Sequence, residues 1–398
     1  MPQAFLSGIT GFQVAAVSCG LKKISSGAAD LGLIFCPEGA VCAGIFTRNR
    51  VKAAPVVISS RRARGGRCRA VLVNAGNANA CTGRDGETAA MSTGRSLATV
   101  LGVPEEEILL ASTGVIGRQL PISRMISSMP ALRERLGPAD RDGLLAVARA
   151  IMTTDTFPKV AWRTSEQDGF GVAGVAKGAG MIAPDMATML AFIITDAALD
   201  APALQTCLER AARTTFNRVT VDGDTSTNDT LLALASGKGS PLGGAALERF
   251  REALHGVCRD LARMIARDGE GATRLVEVHL KGARTPQEAL AAARAVANSP
   301  LVKTAIFGRD ANWGRIMAAL GRSGAGFDPA RVAISFGAVP VVKDGLTLGG
   351  EAEAAAAREM EAEEIVLSID LGAGKAEETV WTCDLTPEYI HINADYRT

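Results

Sequence analysis

The chain has 398 residues, of which 47% are hydrophobic and 21% charged, a composition typical of soluble globular proteins with two or three domains at this length. Its 43 lysines and arginines almost balance 42 aspartates and glutamates, and the net charge of +1 argues against nucleic-acid and membrane-surface partners. No apolar run reaches the roughly 18 residues of a membrane span, and the N-terminus lacks the basic start and apolar core of a signal peptide.

Short apolar runs of strand length recur between glycine-rich turns. In chain order they are "LGLIFC" (31–36), "APVVIS" (54–59), "AVLVNAG" (70–76), "MLAFIIT" (189–195) and "VAISFGAVPVV" (332–342). Runs of four to eight apolar residues bounded by turn residues predict strands.

Helical patterns, with apolar residues three and four apart, alternate with these runs. They cover 88–102, 246–268 and 285–299, the last beginning at a capping-box pair, Thr285 and Glu288. Residues 351–372 read as a polar-faced helix followed by a strand, and "GKGSPLGGAA" (237–246) as a surface loop or linker. Together the elements predict an α+β fold of layered sheets packed against helices.

The eight cysteines form no C-x-x-C pair, and with three histidines they give no zinc pattern. For a chain of this length, we expect buried free thiols in a reducing compartment, the cytoplasm, and no metal site.

The stretch "GMIAPDMATMLAFIITDA" (180–197) places Thr188 between a predicted turn and a predicted strand. A threonine hydroxyl needs a base to become a nucleophile. The histidines are His255, in a helical pattern, His279, in a strand-like pattern, and His391; packing or surface roles suit the first two better.

Cleavage of the chain before Thr188 would supply a different base, the new α-amine, which titrates near pH ~8. The small Ala187 and a turn built by Gly180 and Pro184 favour attack of the hydroxyl on the preceding carbonyl. On local features alone, a threonine at this position is more often an ordinary β-strand residue.

A competing motif overlaps this region. Residues 178–183 match G-x-G-x-x-G/A, and Asp196 or Asp200 follows at the spacing of a dinucleotide-binding site. Pro184 and a β-rich run follow where a helix should begin, so the pattern does not favour dinucleotide binding.

Six longer motifs point to one family. They are "NAGNANACTG" (74–83), "ASTGVIG" (111–117), "KGAGMIAPDMATML" (177–190), "FNRVTVDGDTSTNDT" (216–230), "FGRDANWGRI" (307–316) and "INADYRT" (392–398). In this order they resemble the ornithine acetyltransferase family, bifunctional arginine-biosynthesis enzymes that also act as glutamate N-acetyltransferases. The resemblance covers essentially the whole chain.

The resemblance implies an autoprocessed N-terminal-nucleophile enzyme of the ornithine acetyltransferase/DmpA-like type. Cleavage between Ala187 and Thr188 would give an α fragment (1–187) and a β fragment (188–398), the latter with a C-terminal α/β subdomain from about 240. Thr188 would take the acetyl group from N-acetylornithine and pass it to glutamate, in ping-pong order and without a cofactor.

The family's motifs also assign roles to other residues. Thr113 and Gly114 would form the oxyanion hole through a hydroxyl and an amide; without the resemblance, "STG" is simply a turn. The residues implied in substrate binding are Thr154, Lys177, Thr188, Glu270, Asn393 and Thr398. Without the resemblance, Thr154 would be a helix cap or turn residue and Lys177 a solvent-facing lysine. Glu270 would be an ordinary loop carboxylate, and Asn393 and Thr398 would belong to a frayed tail.

Several alternatives stay open. Asp222 and Asp224 either support the nucleophile or only build a turn. The resemblance implies two α and two β fragments and does not decide whether acetyl-CoA is also a substrate. The competing functions are an amidase or aminopeptidase on a related fold, a nucleotide-binding oxidoreductase and a non-catalytic interaction protein.

Overall fold

The structure is a computed structural model that describes residues 8–22, 28–183 and 189–395. The predicted cleavage pair, Ala187 and Thr188, and the predicted C-terminal residue Thr398 lie outside the described residues. No helix in the described part of the chain is long and apolar enough to cross a membrane.

The described residues form two sheets. The strands of the first are β1 (Gln13–Val17), β2 (Leu31–Phe46), β3 (Arg67–Asn77), β4 (Ile108–Val115), β5 (Gly137–Pro138), β6 (Lys159–Ser165), β7 (Phe170–Lys177), β8 (Leu190–Thr195) and β9 (Thr230–Ala235). Its main path runs β4-β3-β2-β9-β8-β7-β6, with β1 paired to β2 and β5. The helices packed with it are α1 (Ala54–Ala63), α2 (Gly83–Leu101), α3 (Ile122–Glu134), α4 (Arg141–Ile151), α5 (Ala201–Thr214) and α6 (Gly244–Arg267).

A bulge in the long strand β2 divides this sheet into two halves. The register of β2 against β3 shifts between Phe35 and Ala40, and the part of β2 after the shift pairs with β9. Bulges bend strands, so the two halves can turn toward each other.

The alternation of side chains along the strands builds the layers. Val71 of β3 and Phe192 of β8 share one core between the two halves of the sheet. On the outer faces, Leu72 packs with α2 and α3, while Ile193 packs with α5 and α6. Helix α4 adds Leu144 and Val147 to the inner core. These layers confirm the predicted α+β fold of layered sheets packed against helices.

A second sheet lies in the C-terminal part of the chain. Its strands are β10 (Leu275–Ala283), β11 (Ala333–Phe336), β12 (Val339–Lys343), β13 (Leu346–Thr347), β14 (Glu364–Asp370) and β15 (Ala376–Cys383), in the order β13-β12-β11-β14-β10-β15. The remaining helices are α7 (Pro286–Ala297), α8 (Pro300–Phe307), α9 (Trp313–Gly321), α10 (Gly350–Glu359) and α11 (Pro387–Asp395). Helix α6 precedes this sheet in the chain and buries Leu254 and Leu261 in the core of the first sheet. The first strand of the second sheet begins at Leu275, later than the subdomain start expected at about 240.

Most predicted elements are confirmed. The run at 332–342 forms two antiparallel strands, β11 and β12, instead of one, and the prediction at 54–59 is wrong. Residues 54–59 form the first turns of α1 instead of a strand: Pro55 occupies a first-turn position, and Val56 and Ile58 are buried. Proline is tolerated in the first turn of a helix, and a short apolar run cannot by itself distinguish helix from strand. The predicted cap of α7 is present, with the Thr285 side chain accepting from the amide of Glu288 at 3.2 Å.

The eight cysteines all lie in the described ranges, and none forms a disulfide. Six are buried, Cys19 is partly exposed and Cys81 is exposed. The free thiols agree with the sequence-based expectation, whereas the exposed position of Cys81 does not.

Candidate active site

One cavity gathers the predicted site residues. It encloses about 210 Å³ where the ends of β4 and β7 meet the loop before β9 and the face of α11. Its lining residues are Ala78, Thr113, Gly114, Ile116, Thr153, Thr154, Lys177, Gly180, Met181, Asp222, Asp224, Ser226, Thr227, Asn228, Glu270, Tyr389 and Asn393. The six predicted residues that the structure describes, Thr113, Gly114, Thr154, Lys177, Glu270 and Asn393, are all among them.

The chain re-enters the described structure beside this cavity. Met189, the covalent neighbour of the predicted nucleophile, donates its amide to Asp229 Oδ1 at 3.0 Å. Strand β8 then begins between two strands, with Leu190 paired to Lys177 of β7 and to Thr230 of β9. Because β7 and β8 are antiparallel, the G-x-G-x-x-A match at 178–183 lacks the parallel βαβ setting of a dinucleotide-binding turn.

The predicted oxyanion residues end strand β4. Gly114 has a φ of +127°, and a Cβ there would lie 2.4 Å from the carbonyl carbon of Gly76. Only glycine fits this close approach of β3 and β4 without displacing backbone. The neighbouring Thr113 is buried at the cavity wall.

Lys177 is buried, although a lysine at a strand end is ordinarily exposed. Its Nζ donates to the Thr153 hydroxyl at 2.8 Å and lies 3.8 Å from Asp155 Oδ2. Burial lowers the pKa of Lys177, and the charge of Asp155 opposes that effect. The cavity therefore has a desolvated cation on its wall.

A second buried lysine anchors the carboxylate that faces Lys177. Lys159 Nζ donates to Asp155 Oδ1 at 2.7 Å and to Asp268 Oδ2 at 2.5 Å, and all three side chains are almost fully buried. Burial alone would raise the pKa of Asp155, but Lys177 and Lys159 outweigh it and hold that pKa below its usual range. Asp155 thus stays ionised and links the two lysines.

Glu270 supplies negative charge to the same cavity. It follows α6 in a turn between two glycines, and its amide donates to Ala179 O at 2.9 Å. Asn393 of α11 donates Nδ2 to Glu270 Oε2 at 2.8 Å. A Cβ on Gly180 would come within 2.2 Å of Oε2, so the Glu270 carboxylate lies directly over that glycine.

Asp222, whose role the sequence left open, holds the chain that leads toward the predicted cleavage point. Its carboxylate accepts from the amides of Met181 and Ile182 at 2.7 and 2.9 Å. The Tyr389 hydroxyl of α11 donates to it at 3.4 Å. Burial raises the pKa of Asp222 in spite of these donors.

None of the three histidines, all of them in the described ranges, lines the cavity. His255 on α6 and His279 on β10 face a separate open groove, where His255 Nε2 lies 3.2 Å from the Thr214 hydroxyl. A histidine base at this site is therefore not supported. In the described part of the chain, no cluster of three or more metal-binding side chains occurs.

Sequence reasoning missed five residues at or behind this site: Thr153, Asp155, Asn228, Asp229 and Tyr389. Thr153 and Asp155 flank the predicted Thr154, and Asn228 and Asp229 lie inside the motif "FNRVTVDGDTSTNDT" (216–230). The sequence points only to Thr154, Asp222 and Asp224 in these stretches. Thr153, Asn228 and Asp229 make their contacts at the site with distant parts of the chain.

Comparison with known proteins gives a consistent result. The model of the ArgJ family matches residues 13–398. The arginine biosynthesis bifunctional proteins ArgJ of Geobacter sulfurreducens and Syntrophotalea carbinolica are each 49% identical, over 98% of this chain and 100% and 99% of their own lengths.

Two solved structures are also similar. Arginine biosynthesis bifunctional protein ArgJ from Bacillus halodurans is 44% identical, with a TM-score of 0.49, over 50% of this chain and 96% of that one. Ornithine acetyltransferase from Mycobacterium tuberculosis, solved in complex with ornithine, is 36% identical, with a TM-score of 0.41, over 46% and 96%.

Proposed function

The chain belongs to the ArgJ family of arginine-biosynthesis enzymes, and from this premise we propose that it transfers an acetyl group from N2-acetylornithine to glutamate through an acetyl-Thr188 intermediate. The observation that carries the proposal is a cavity with opposite charges on its wall, the ammonium of Lys177 and the carboxylate of Glu270. Amino-acid substrates carry both signs of charge, and a small desolvated cavity binds them by pairing each one.

The nucleophile arises by cleavage between Ala187 and Thr188, which separates an α fragment (1–187) from a β fragment (188–398). The Thr188 hydroxyl attacks the Ala187 carbonyl, the peptide C–N bond breaks, and water opens the resulting ester. The freed α-amine is then the base for the hydroxyl of its own residue. The absence of a histidine from the described cavity lining supports this assignment.

Acetyl transfer proceeds in two halves. The Thr188 oxygen attacks the acetyl carbonyl of N2-acetylornithine while the α-amine takes its proton, and the amide C–N bond then breaks as that proton passes to the departing ornithine amine. In the second half, the neutral amine of glutamate attacks acetyl-Thr188, and the threonine oxygen recovers a proton. Thr113 Oγ1 and the Gly114 amide stabilise the oxyanion in both halves.

Substrate recognition uses the charges of the cavity. Lys177 binds the α-carboxylate, and Thr154, which also lines the cavity, supplies a further hydrogen-bonding group. Glu270, oriented by Asn393, holds the side-chain ammonium of ornithine. Thr188 itself and Thr398, at the end of the chain, complete the proposed binding set.

The remaining expectations extend the proposal to the whole enzyme. Two α and two β fragments assemble into a heterotetramer that works in the cytoplasm. The substrates are the small molecules N2-acetylornithine and glutamate. Whether acetyl-CoA is a second acetyl donor is decided by the experiment below.

The test follows a radiolabelled acetyl group. Wild-type protein with N2-[14C]acetylornithine should yield labelled N-acetylglutamate only when glutamate is present, and the label should pass through the β fragment. Acetyl-CoA replaces the donor in a parallel reaction. Release of free acetate at the same rate with and without glutamate would identify an amidase and contradict the transferase assignment.

A further inference from the structure

Two consecutive residues before β9 connect the two sides of the cavity. Asn228 and Asp229 are both buried, and neither has a role in the steps described above. Asn228 reaches β4, the strand that carries the oxyanion donors, whereas Asp229 reaches the start of β8.

Asn228 bridges the ends of β3 and β4. Its Nδ2 donates to the carbonyls of Ala78 and Ser112, at 2.7 and 2.8 Å. Ser112 immediately precedes Thr113, and the Thr227 hydroxyl donates to Asn228 Oδ1 at 2.5 Å. Two carbonyl acceptors on one side and a donor on the other fix the orientation of the amide.

Asp229 acts on the other side. Its Oδ1 accepts from the Met189 amide at 3.0 Å, and its Oδ2 is buried with no hydrogen-bond partner among the described residues. Burial raises the pKa of Asp229 well above its usual value, which favours the neutral acid. A neutral carboxyl can still accept the hydrogen bond from the Met189 amide. Asp229 can therefore position the start of β8 without carrying a charge.

We propose that Asn228 and Asp229 are positioning residues. Asn228 holds the β4 segment that carries the oxyanion donors, and Asp229 holds the backbone of Met189, so the adjacent pair fixes the separation of these two segments. The inference rests on the proposed function. Once the bond before Thr188 is cut, Thr113 and the nucleophile belong to different fragments, and non-covalent contacts must keep them in register. Asn228 and Asp229 belong to the β fragment, and the two carbonyls that Asn228 binds belong to the α fragment.

The first test is a double-mutant cycle between Asn228 and Thr113. The rate of β-fragment acetylation is measured in single turnovers by intact mass and expressed per cleaved molecule. Asn228→Ala should slow acetylation about 100-fold, as expected for misplacement by about 1 Å. In a Thr113→Ala background the same change should slow it by less than about tenfold, because the donor being positioned is gone.

The second test separates position from charge at Asp229. Asp229→Asn keeps an acceptor for the Met189 amide, whereas Asp229→Leu has a similar shape without one. The asparagine variant should acetylate at least about tenfold faster than the leucine variant, the effect of one hydrogen bond to a buried donor. Thr285→Ala, which removes a cap of α7 far from these contacts, is the matched control for general destabilisation and should leave the rate unchanged.

The outcomes distinguish this inference from the proposed function. A wild type that transfers no acetyl group refutes the function itself. If the wild type is active, multiplicative effects of Asn228→Ala and Thr113→Ala, or equal loss in both Asp229 variants, overturn the positioning roles. If Asn228→Ala does not fold, Asn228→Ser, whose hydroxyl can still donate to one carbonyl, carries the same cycle and the same criterion.

Discussion

The carboxylate of Glu270 accepts a hydrogen bond from the side-chain amide of Asn393, with 2.8 Å between Oε2 and Nδ2. Glu270 follows α6, and Asn393 lies on α11, the last helix of the described chain. The C-terminal helix therefore fixes the acid that we propose as the binding group for the ammonium of ornithine.

Replacing Glu270 by Gln should lower kcat/KM for N2-acetylornithine about 10- to 100-fold, because a charge-assisted hydrogen bond contributes about 1.5–3 kcal/mol. The effect should appear mainly in KM, since the ammonium is bound equally before and during acetyl transfer. Steady-state kinetics measure it. Glu277→Gln, in the separate groove, is the control, and equal kcat/KM for the two variants would exclude Glu270 from substrate binding.

The space above Gly180 is a second place to test the site. In Gly180→Ala the new methyl would lie 2.2 Å from Glu270 Oε2, so the carboxylate must leave the position in which it accepts from Asn393. We expect KM for N2-acetylornithine to rise, as in Glu270→Gln. Gly350→Ala adds a methyl that meets nothing within 4 Å and should leave the kinetics unchanged. A Gly180 variant with wild-type KM would show that the position of Glu270 does not matter.

The buried Lys177 predicts a pH effect of definite sign. Burial lowers its pKa below the ordinary 10.5, so the ammonium is lost at a lower pH than that of an exposed lysine. Because the charged form binds the substrate carboxylate, KM should rise on the alkaline side as pH passes through this lowered pKa. KM is measured from neutral to alkaline pH in wild type and Lys177→Met. The variant should have a high KM without this rise, and an identical rise in both proteins would contradict the role of Lys177.

The Asp155–Lys159–Asp268 cluster predicts a large stability effect. Asp155→Ala removes one partner of a buried lysine and should cost about 3–5 kcal/mol, whereas the cap variant Thr285→Ala should cost about 1 kcal/mol. Denaturant unfolding of both variants in the uncleaved Thr188→Ala background gives the comparison. Equal stability of the two variants would show that the cluster contributes little.

The same cluster gives a pH dependence. The folded-state pKa of Asp155 lies below its ordinary value of 3.8, so its contribution is fully present above that value and declines as pH falls through the folded-state pKa. The stability difference between wild type and Asp155→Ala should therefore persist at mildly acidic pH and shrink only in strong acid. If the stability difference between wild type and Asp155→Ala were already lost near neutral pH, the folded-state pKa of Asp155 would not be lowered, which would contradict this account.

Much of the fold could be predicted from sequence, because periodicity reports burial directly. The apolar run predicted as a strand at 189–195 forms β8, which is buried on both faces. The apolar residues spaced three and four apart at 246–268 lie in helix α6. The same signal failed at 54–59, where Pro55 begins a helix, because a run of five apolar residues is compatible with either element.

The site divides in a similar way. Family resemblance pointed to Lys177, Glu270 and Asn393, and all three line the cavity. It did not point to Asn228, whose partner Ala78 is 150 residues away along the chain. Side-chain-to-backbone contacts over such separations leave no periodic pattern in a sequence, so only the fold reveals them.

Intact mass and N-terminal sequencing of active protein, beside Thr188→Ala, test the central claim most directly. We expect two fragments from the wild type, the second beginning Thr-Met-Leu-Ala, and a single 398-residue chain from the variant. Fully active wild type that consists only of uncut chain, or a variant that yields the same two fragments, would contradict an N-terminal threonine nucleophile.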